Sequence, residues 1–513
     1  MDKQLEAESL GGNAMKKRLG GWKRLFRLSV FAGIFAGVVL LTGCGEKEGS
    51  PEEYSKELLQ DNNEEMKVMA TEAGDGNKEP EPEPEPEPGD ENKESESEPE
   101  PEAINIALDD YDAWRALLEE NACSDEFNQA VLDFSYESAS KVLAGGEENG
   151  NFSPLSLYYA LALAESGAKE ETAKELLGVL GMEDSNALAG ECRKLYRQMY
   201  YREQRLKKEY KEYGDGDFQS TVKLRNSLWL SNAFTFHPSY QEGAARDFYA
   251  SLHSVDFTQP EAGEAMGQWI SDQTNGVLAP SLSVDPRTAL SIINTLYFYG
   301  SWDTKFSKER TRTEEFTLAD KTKVECPMMN REEEMGSFYR GDGYTLSSLY
   351  TNNGCQMVVL LPDRDRSVQE FLQSKDALEK SLGNVRQPGE DEWTSGKVIW
   401  KLPKFSFGSS YDLIESLGKM GLERMFDGEK ADFSGISDES LWVSQVIQES
   451  HIGVDEEGIE GAAYTMLAVC GAGMPQDKEV AEMICDRPFI YGIRDGNSGA
   501  WLFIGVCQNP VLD

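Results

Sequence analysis

The chain has 513 residues, 39% of them hydrophobic, and 50 lysines and arginines against 92 aspartates and glutamates give it a net charge of −42. Phosphate recognition needs a basic surface, so this charge excludes a general nucleic-acid binder and disfavours a polybasic membrane-surface protein. We also expect no binding of heparin-like polyanions. Three histidines, far apart in the sequence, leave little for a zinc site or a catalytic triad that depends on histidine.

Residues 1–43 predict an export leader. A basic stretch over residues 16–27 precedes an uncharged apolar run over residues 28–42, which is the order found in signal peptides. At about 15 residues, the run is shorter than the roughly 20 that a membrane-spanning helix needs. It ends in Leu-Thr-Gly-Cys44, which resembles the lipobox of bacterial lipoproteins. This resemblance implies that Cys44 is lipidated and becomes the mature N-terminus; an ordinary signal peptide or an uncleaved anchor is the alternative.

Residues 44–102 predict an acidic linker after the lipidated cysteine. Positions 46–102 hold 22 acidic and 5 basic side chains and few large apolar ones, so burial cannot offset chain entropy and we expect disorder. Glu-Pro repeats over residues 79–88 favour an extended polyproline II conformation. We interpret the linker as a spacer between a bacterial cell membrane and the following domain, with a solvated tail as the alternative. The protein is then expected outside the cytoplasm, anchored by its lipid or released.

Residues 103–513 have the composition of one packed domain. Helical periodicity comes first, over residues 128–143, 154–164 and 171–180. Strand character follows over residues 222–230, 289–299, 356–361, 398–402, 489–493 and 501–506. Helices followed by strands in mixed order predict an α+β fold rather than repeated βαβ units.

Neither the cysteines nor any short motif predicts a catalytic or metal site. Seven cysteines besides Cys44 are widely spaced without a Cys-x-x-Cys pair, so no zinc ribbon or redox pair is predicted, and any disulfide pairing stays open. The chain also lacks Gly-x-Ser-x-Gly, a Walker loop and His-Glu-x-x-His. We therefore expect no metal, no cofactor and no enzyme activity.

Eight short motifs follow one another along this domain. They are Asn151-Phe-Ser-Pro-Leu-Ser-Leu157 with Ala160-Leu-Ala, Gly167-Ala-Lys-Glu-Glu-Thr172, Ile293-Asn-Thr-Leu-Tyr-Phe-Tyr-Gly-Ser-Trp302, Cys326-Pro-Met-Met329, Leu360-Leu-Pro362, Leu402-Pro-Lys-Phe405 with Tyr411-Asp-Leu413, Asp455-Glu-Glu-Gly-Ile-Glu-Gly-Ala-Ala463 and Arg487-Pro-Phe489. In this order they resemble the serpin family, from near residue 128 to residue 510. The resemblance implies a central sheet with two further sheets, about nine helices and an exposed reactive loop.

The resemblance implies that the loop is bait for a protease. After cleavage, the loop enters the central sheet as a new strand and carries the acylated protease with it, so the acyl-enzyme is trapped. The chain would then be a monomeric, membrane-tethered suicide inhibitor of serine endopeptidases, with a cysteine protease target left open. The alternative is a non-inhibitory serpin-fold binding protein whose loop is only a substrate.

The predicted loop hinge obeys the rules of a strand. Side chains alternate between faces, so Ile459 and the small residues that follow it on one face can be buried, and the only charge, on Glu460, falls on the other face. Ile459 replaces the usual Thr of the family and Gly461 an Ala, but neither adds charge, so we predict slower insertion rather than none. The hinge comprises Glu456, Glu457, Gly458, Ile459, Glu460, Gly461, Ala462 and Ala463.

Family spacing from the hinge predicts the reactive bond between Ala472 and Gly473. Spacing back from Arg487 would also permit Met474, although Pro475 disfavours cleavage there. No Arg, Lys or large aromatic residue stands at the bond, which argues against trypsin-like proteases. The small residues favour elastase-like or subtilisin-like targets.

Four residues match a hydrogen-bonding cluster that serpins place beneath the opening sheet. They are Ser153, Ser156, Asn294 and Gln448. Gln448 replaces a frequent His of the family; it can donate and accept hydrogen bonds but cannot become charged, so no pH switch is expected there.

Three residues match positions around the loop's point of insertion. Trp302 matches an aromatic residue beneath that point. Lys404 and Glu456 match a pair that ties the hinge base to a neighbouring strand; the alternative is two exposed charges that contribute at most about 1 kcal/mol.

Overall fold

The computed structural model describes residues 98–213, 220–383, 393–459 and 479–511, together with the backbone of residues 33–43. Ten α-helices and two β-sheets lie in this part of the chain, which confirms the predicted α+β fold. None of the helices described there has both the length and the apolar character needed to cross a bilayer.

The helices lie mostly in the first half of the domain, as the periodicity predicts. The helix that begins at Pro154 is capped by Ser153, whose side chain accepts a hydrogen bond from the Ser156 backbone N–H. The helix that begins at Glu170 is closed by Gly181, which has a left-handed φ of 68°. The bounds are α1 Tyr111–Glu120, α2 Asp125–Leu143, α3 Pro154–Glu165, α4 Glu170–Leu180, α5 Ser185–Tyr213, α6 Pro238–Phe248, α7 Glu261–Gln273, α8 Gln369–Leu372, α9 Lys375–Leu382 and α10 Ile414–Lys419.

The strands form a seven-stranded and a nine-stranded sheet. They are β1 Gly33–Gly43, β2 Gly150–Phe152, β3 Thr221–Ser231, β4 Ala250–Val255, β5 Thr288–Ser301, β6 Arg312–Thr317, β7 Lys323–Gly341, β8 Tyr344–Tyr350, β9 Cys355–Pro362, β10 Thr394–Pro403, β11 Phe405–Asp412, β12 Leu441–Val454, β13 Gly458–Ile459, β14 Val480–Ile484, β15 Phe489–Asp495 and β16 Trp501–Cys507.

The nine-stranded sheet is continuous through the long strand β7. This strand pairs with β6 near its start, with β10 along most of its length and with β8 at its end. The two smaller sheets that the resemblance implies are therefore joined here into a single ladder.

The seven-stranded central sheet is built around β5. In β5 every residue is buried, because the run from Thr288 to Ser301 contains no charge and both of its faces are covered. Ile293 packs with Trp269 of α7 on one face, and Asn294 contacts Ser156 of α3 on the other. β5 is therefore mostly apolar, and its buried amide Asn294 is hydrogen-bonded to Ser156 and Asn226.

Strand β1 lies between β5 and β12 and is antiparallel to both. We call the space between residues 288–298 of β5 and 441–451 of β12 the central slot. On their other sides, β5 pairs with β3 and β12 pairs with β11. Any strand in the central slot therefore completes the sheet across its middle.

The last residues of the predicted linker lie against the domain. Glu98 accepts a hydrogen bond from Trp269 Nε1 at 2.8 Å, and Glu100 forms an ion pair with Arg225 at 2.5 Å. The chain is therefore bound to the domain surface a few residues before the predicted boundary at residue 103.

The described cysteines are reduced. Burial raises the pKa of Cys123 and of Cys355 to about 12, so these thiols are protonated at neutral pH. No group of side chains in the described ranges is arranged to hold a metal ion. The free thiols are Cys123, Cys192, Cys326, Cys355, Cys485 and Cys507.

Candidate functional site

The start of the hinge already pairs within the central sheet. Ile459 of β13 lies opposite Val454 of β12 on one side and Gly300 of β5 on the other, and its side chain is 0% exposed. Other predicted positions lie outside the described residues: Cys44, Glu460, Gly461, Ala462, Ala463, Ala472, Gly473 and Met474.

Gly458 is required by a close approach between strands. A Cβ atom there would clash with the Gly300 carbonyl oxygen and lie 2.8 Å from the Ser301 Cα atom. A side chain at this position would therefore push β13 away from β5 and break the first pair of the hinge.

The turn that leads into the hinge is held by Asp455 and Trp302. The Asp455 carboxylate accepts hydrogen bonds from the backbone N–H groups of Glu457 at 2.8 Å and Gly458 at 3.3 Å. Buried Trp302 donates its indole N–H to the Asp455 carbonyl at 2.9 Å and its backbone N–H to the Glu457 carbonyl at 3.0 Å. Trp302 therefore lies directly beneath the turn, and it positions the turn through two hydrogen bonds.

Glu456 is fixed by Lys404 and Thr311. The Lys404 Nζ atom lies 2.6 Å from one carboxylate oxygen, and the Thr311 hydroxyl donates to the other at 2.8 Å. The Glu456 side chain is only 6% exposed, so this is not the exposed pair of the alternative interpretation. Burial alone would raise the pKa of Glu456, but these hydrogen bonds outweigh burial and lower it below the ordinary value.

Glu457 has a second pair of cationic partners. Lys305 and Lys308 approach its two carboxylate oxygens at 2.9 and 2.7 Å. Burial opposes ionisation of this carboxyl as well, yet the two lysines lower its pKa. The sequence motif identified neither lysine, nor Thr311, because all three lie far from the hinge along the chain.

The predicted polar cluster lies in the middle of the central sheet. Gln448 accepts a hydrogen bond from the Ser153 backbone N–H at 3.2 Å and donates one to its carbonyl at 3.1 Å. The Ser156 hydroxyl contacts the Asn294 side-chain carbonyl. All four residues are fully buried, so a neutral set of donors and acceptors replaces the water that they lose.

Asn226 is a further member of the cluster, and the sequence motifs missed it. Its side-chain oxygen accepts from Asn294 at 2.6 Å, and its amide donates to the Phe248 carbonyl at 2.6 Å. The cluster therefore links β5 to β3 and to the end of α6. A polar residue on the core-facing side of the predicted strand over residues 222–230 was the available signal.

Comparison with known proteins connects this geometry to a family. The family model described as Serpin (serine protease inhibitor) matches residues 129–510. An uncharacterised serpin-like protein of Thermococcus kodakarensis is 33% identical, covering 74% of this chain and 85% of that protein. Leukocyte elastase inhibitor A of Mus musculus is 31% identical, covering 70% and 92%. The crystal structure of Serpin48 from Tenebrio molitor has a TM-score of 0.60 and 26% identity, covering 76% of this chain and 99% of that one.

Asn294→Ala should destabilise the domain by about 1–3 kcal/mol, because it leaves Asn226 and Ser156 buried with one partner fewer. Chemical denaturation of the two proteins measures the difference. Gln268→Ala is the matched control, since Gln268 is exposed and donates its side-chain hydrogen bond to Asp272 on the same helix, α7, and it should change stability by less than about 0.5 kcal/mol. Equal effects of the two variants would contradict a structural role for the cluster.

Acidification should loosen the hinge base. The carboxyls of Glu456 and Glu457 have lowered folded-state pKa values, so their contribution to stability is present above the unfolded value of about 4.3 and is lost as the pH falls through the folded values. The pKa of Asp455 is raised, chiefly by burial, so its contribution has the opposite sign; Lys404 partly lowers this pKa, so replacing Lys404 raises it further.

Lys404→Met removes the main hydrogen bond that lowers the pKa of Glu456. The unfolding temperature of this variant should therefore lie below that of the parent at pH 6, and the difference should narrow as the pH falls to 3, because less carboxylate stabilisation is left to lose; thermal scans between pH 3 and 6 measure both. Lys419→Met removes an exposed pair with Glu415 and should leave the pH profile close to that of the parent. Superimposable profiles for Lys404→Met and the parent would contradict the assigned role.

Proposed function

Because the chain belongs to the serpin family, we propose that it is a suicide inhibitor of serine endopeptidases that traps its target by inserting the cleaved loop into the central sheet. The position of Gly458 and Ile459 is the observation that carries the proposal. Ile459 is already paired on both sides and Gly458 on one, so further pairing can extend from an existing end instead of requiring a new nucleus. A binding protein with the same fold would need no such start.

The burial of Ile459 supports insertion despite the departure from the usual Thr. This side chain is 0% exposed and packs in the main core. An apolar residue at the first inserted position gains from burial, so the substitution is compatible with a strand in this place. Because Ile459 is already buried between the two strands, its bulk is accommodated before the rest of the loop inserts.

The contacts that anchor the hinge base also support loop insertion. Trp302 holds the turn through backbone contacts, and Glu456 and Glu457 are held by three lysines. Inserting a long segment requires one end to stay fixed while the other moves. In our proposal this base is the fixed end, and Gly458 is the first residue of the strand.

The target class rests on the predicted bond between Ala472 and Gly473. Small residues at the cleaved bond suit elastase-like and subtilisin-like enzymes, whose pockets do not require a cation. The similarity to a mouse protein named leukocyte elastase inhibitor A points in the same direction. Cysteine proteases remain a second class to test.

The tether is a separate part of the proposal. The lipobox-like sequence before Cys44 and the acidic linker that follows support a monomeric inhibitor held outside the cytoplasm by a lipid on Cys44. Anchoring would concentrate the inhibitor at the cell surface, where external proteases arrive. Metabolic labelling with a fatty acid and its loss in Cys44→Ala test this part independently of inhibition.

Incubation with subtilisin or pancreatic elastase tests the inhibitory mechanism in the chain that begins at Cys44. We expect a covalent complex that survives detergent, and a released C-terminal fragment that begins at Gly473 by mass spectrometry. Trypsin should form no complex at this bond. Cleavage at the same bond without any complex would instead favour the non-inhibitory binding protein.

Ile459→Arg should convert the inhibitor into a substrate. An unpaired charge at this buried position costs at least about 3 kcal/mol, which corresponds to roughly a 100-fold loss in the ratio of trapped to cleaved product. Ile459→Thr is the matched control, because it restores the family's usual residue and should trap at least as well as the parent. Undiminished trapping by Ile459→Arg would remove loop insertion from the mechanism.

A further inference from the structure

The central slot is occupied by a segment that belongs to the predicted export leader. Strand β1 pairs along its whole length with β12 and with β5. It ends at Gly43, immediately before the predicted processing site at Cys44. The same space is where the proposed inhibitory mechanism requires the cleaved loop, so the two segments compete.

The register of the hinge determines which positions the loop would take. Ile459 lies opposite Gly300 of β5 and Val454 of β12. Both pairs are antiparallel, so each later loop residue would lie one position earlier along each of the two neighbours. Continuing the strand therefore predicts the partners of every following loop residue.

Extending the strand beyond Ile459 leads to the same alignment of loop residues on β5 and on β12. Three residues beyond Ile459, Ala462 would lie opposite Tyr297 of β5 and His451 of β12. In the structure, Ile34 lies opposite these two residues. β1 therefore has the direction and the register of the inserted loop, and from Gly33 onward it covers the positions of loop residues from Gly461 to about Gly471.

The hinge and β1 follow one another in a single line. On β5, Gly300 pairs with Ile459, and Phe298, two residues away, pairs with Gly33. Gly37 lies opposite both Asn294 and Gln448, the two strand residues of the polar cluster. The loop could not extend beyond its first residues while β1 holds this place.

The two competing sequences have the same strand-forming character. Residues 33–43 read GIFAGVVLLTG and residues 461–471 read GAAYTMLAVCG. Neither contains a charge or a proline, and each begins and ends with glycine. A strand covered on both faces requires this composition, because an unpaired charge or a missing N–H donor cannot be compensated there.

We propose that, in the chain that retains its first 43 residues, the segment Gly33–Gly43 binds in the central slot and excludes the reactive loop, so that removal of the leader makes the inhibitor competent. The effect on inhibition rests on the proposed function, whereas the binding of residues 33–43 in the central slot does not. β5 and β12 run in the same direction, so they can close the empty slot only as a parallel pair, which is the slightly weaker arrangement. A chain without its leader would therefore keep a central sheet in which β5 and β12 can separate again to admit the loop.

The test uses the unprocessed full chain and a variant with Val38→Pro and Leu40→Pro. A strand paired on both sides uses every N–H group, so each proline removes a ladder bond. Control prolines at Glu48 and Ser50 lie outside the paired segment. Hydrogen exchange measured by mass spectrometry reports on residues 33–43, and incubation with subtilisin reports on trapping.

We expect slow exchange of residues 33–43 in the parent and the control, and fast exchange in the Val38→Pro, Leu40→Pro variant. The ratio of trapped to cleaved product should rise at least about tenfold in that variant, since two lost hydrogen bonds free the slot. After cleavage, loop residues 461–471 should become protected only in the variant.

Two other outcomes would overturn either the binding of the leader segment or the proposed inhibitory function. Fast exchange of residues 33–43 in the parent, or equal trapping by the parent and the variant, overturns the inference and leaves the inhibitory function intact. If no chain traps a protease, including the one that begins at Cys44, the proposed function fails instead. Hydrogen exchange then decides whether residues 33–43 bind in the slot. Protection of these residues in the parent that is lost in the proline variant supports binding, and absence of protection in the parent overturns it.

Discussion

The fold depends on the need to pair the backbone groups of β5 and β12 that face the central slot. On its other side, β5 pairs with β3 over residues 290–299 and β12 pairs with β11 over residues 447–454, so along these residues the slot is the side that a further strand has to fill. Buried N–H and C=O groups that lack partners are costly, so this side must always be closed by some strand. In the proposed mechanism, the backbone groups that face the slot pair with one of three partners at a time: the opposite strand, the leader segment or the cleaved loop.

Two kinds of polar contact lie beside the central slot: ion pairs at the end of the sheet and neutral hydrogen bonds in its buried middle. At the end of the sheet, Glu456 and Glu457 are ionised and held by lysines that reach solvent. In the middle, Asn294 and Gln448 belong to a neutral network of amides and hydroxyls. A charge in the middle would lose its hydration without sufficient compensation, whereas amides satisfy one another at any ordinary pH.

Much of the fold could be predicted from the sequence, because its signals are local. The helix over residues 154–164 and the strands over residues 222–230 and 289–299 lie within a residue or two of their predicted bounds. Motif order indicated the family. Lys305 and Lys308 could not be predicted as partners of the hinge base, because a contact between distant segments leaves no spacing pattern in a single sequence. The joining of two expected sheets through β7 was missed for the same reason.

By itself, the sequence determined that residues 33–43 and loop residues 461–471 are mostly apolar, uncharged and free of proline. These properties make both segments capable of forming a strand covered on both faces. Only the tertiary structure decided that residues 33–43 lie in the central slot, in line with the start of the loop, because a strand's place is set by the register of its neighbours, and those neighbours lie hundreds of residues away along the chain.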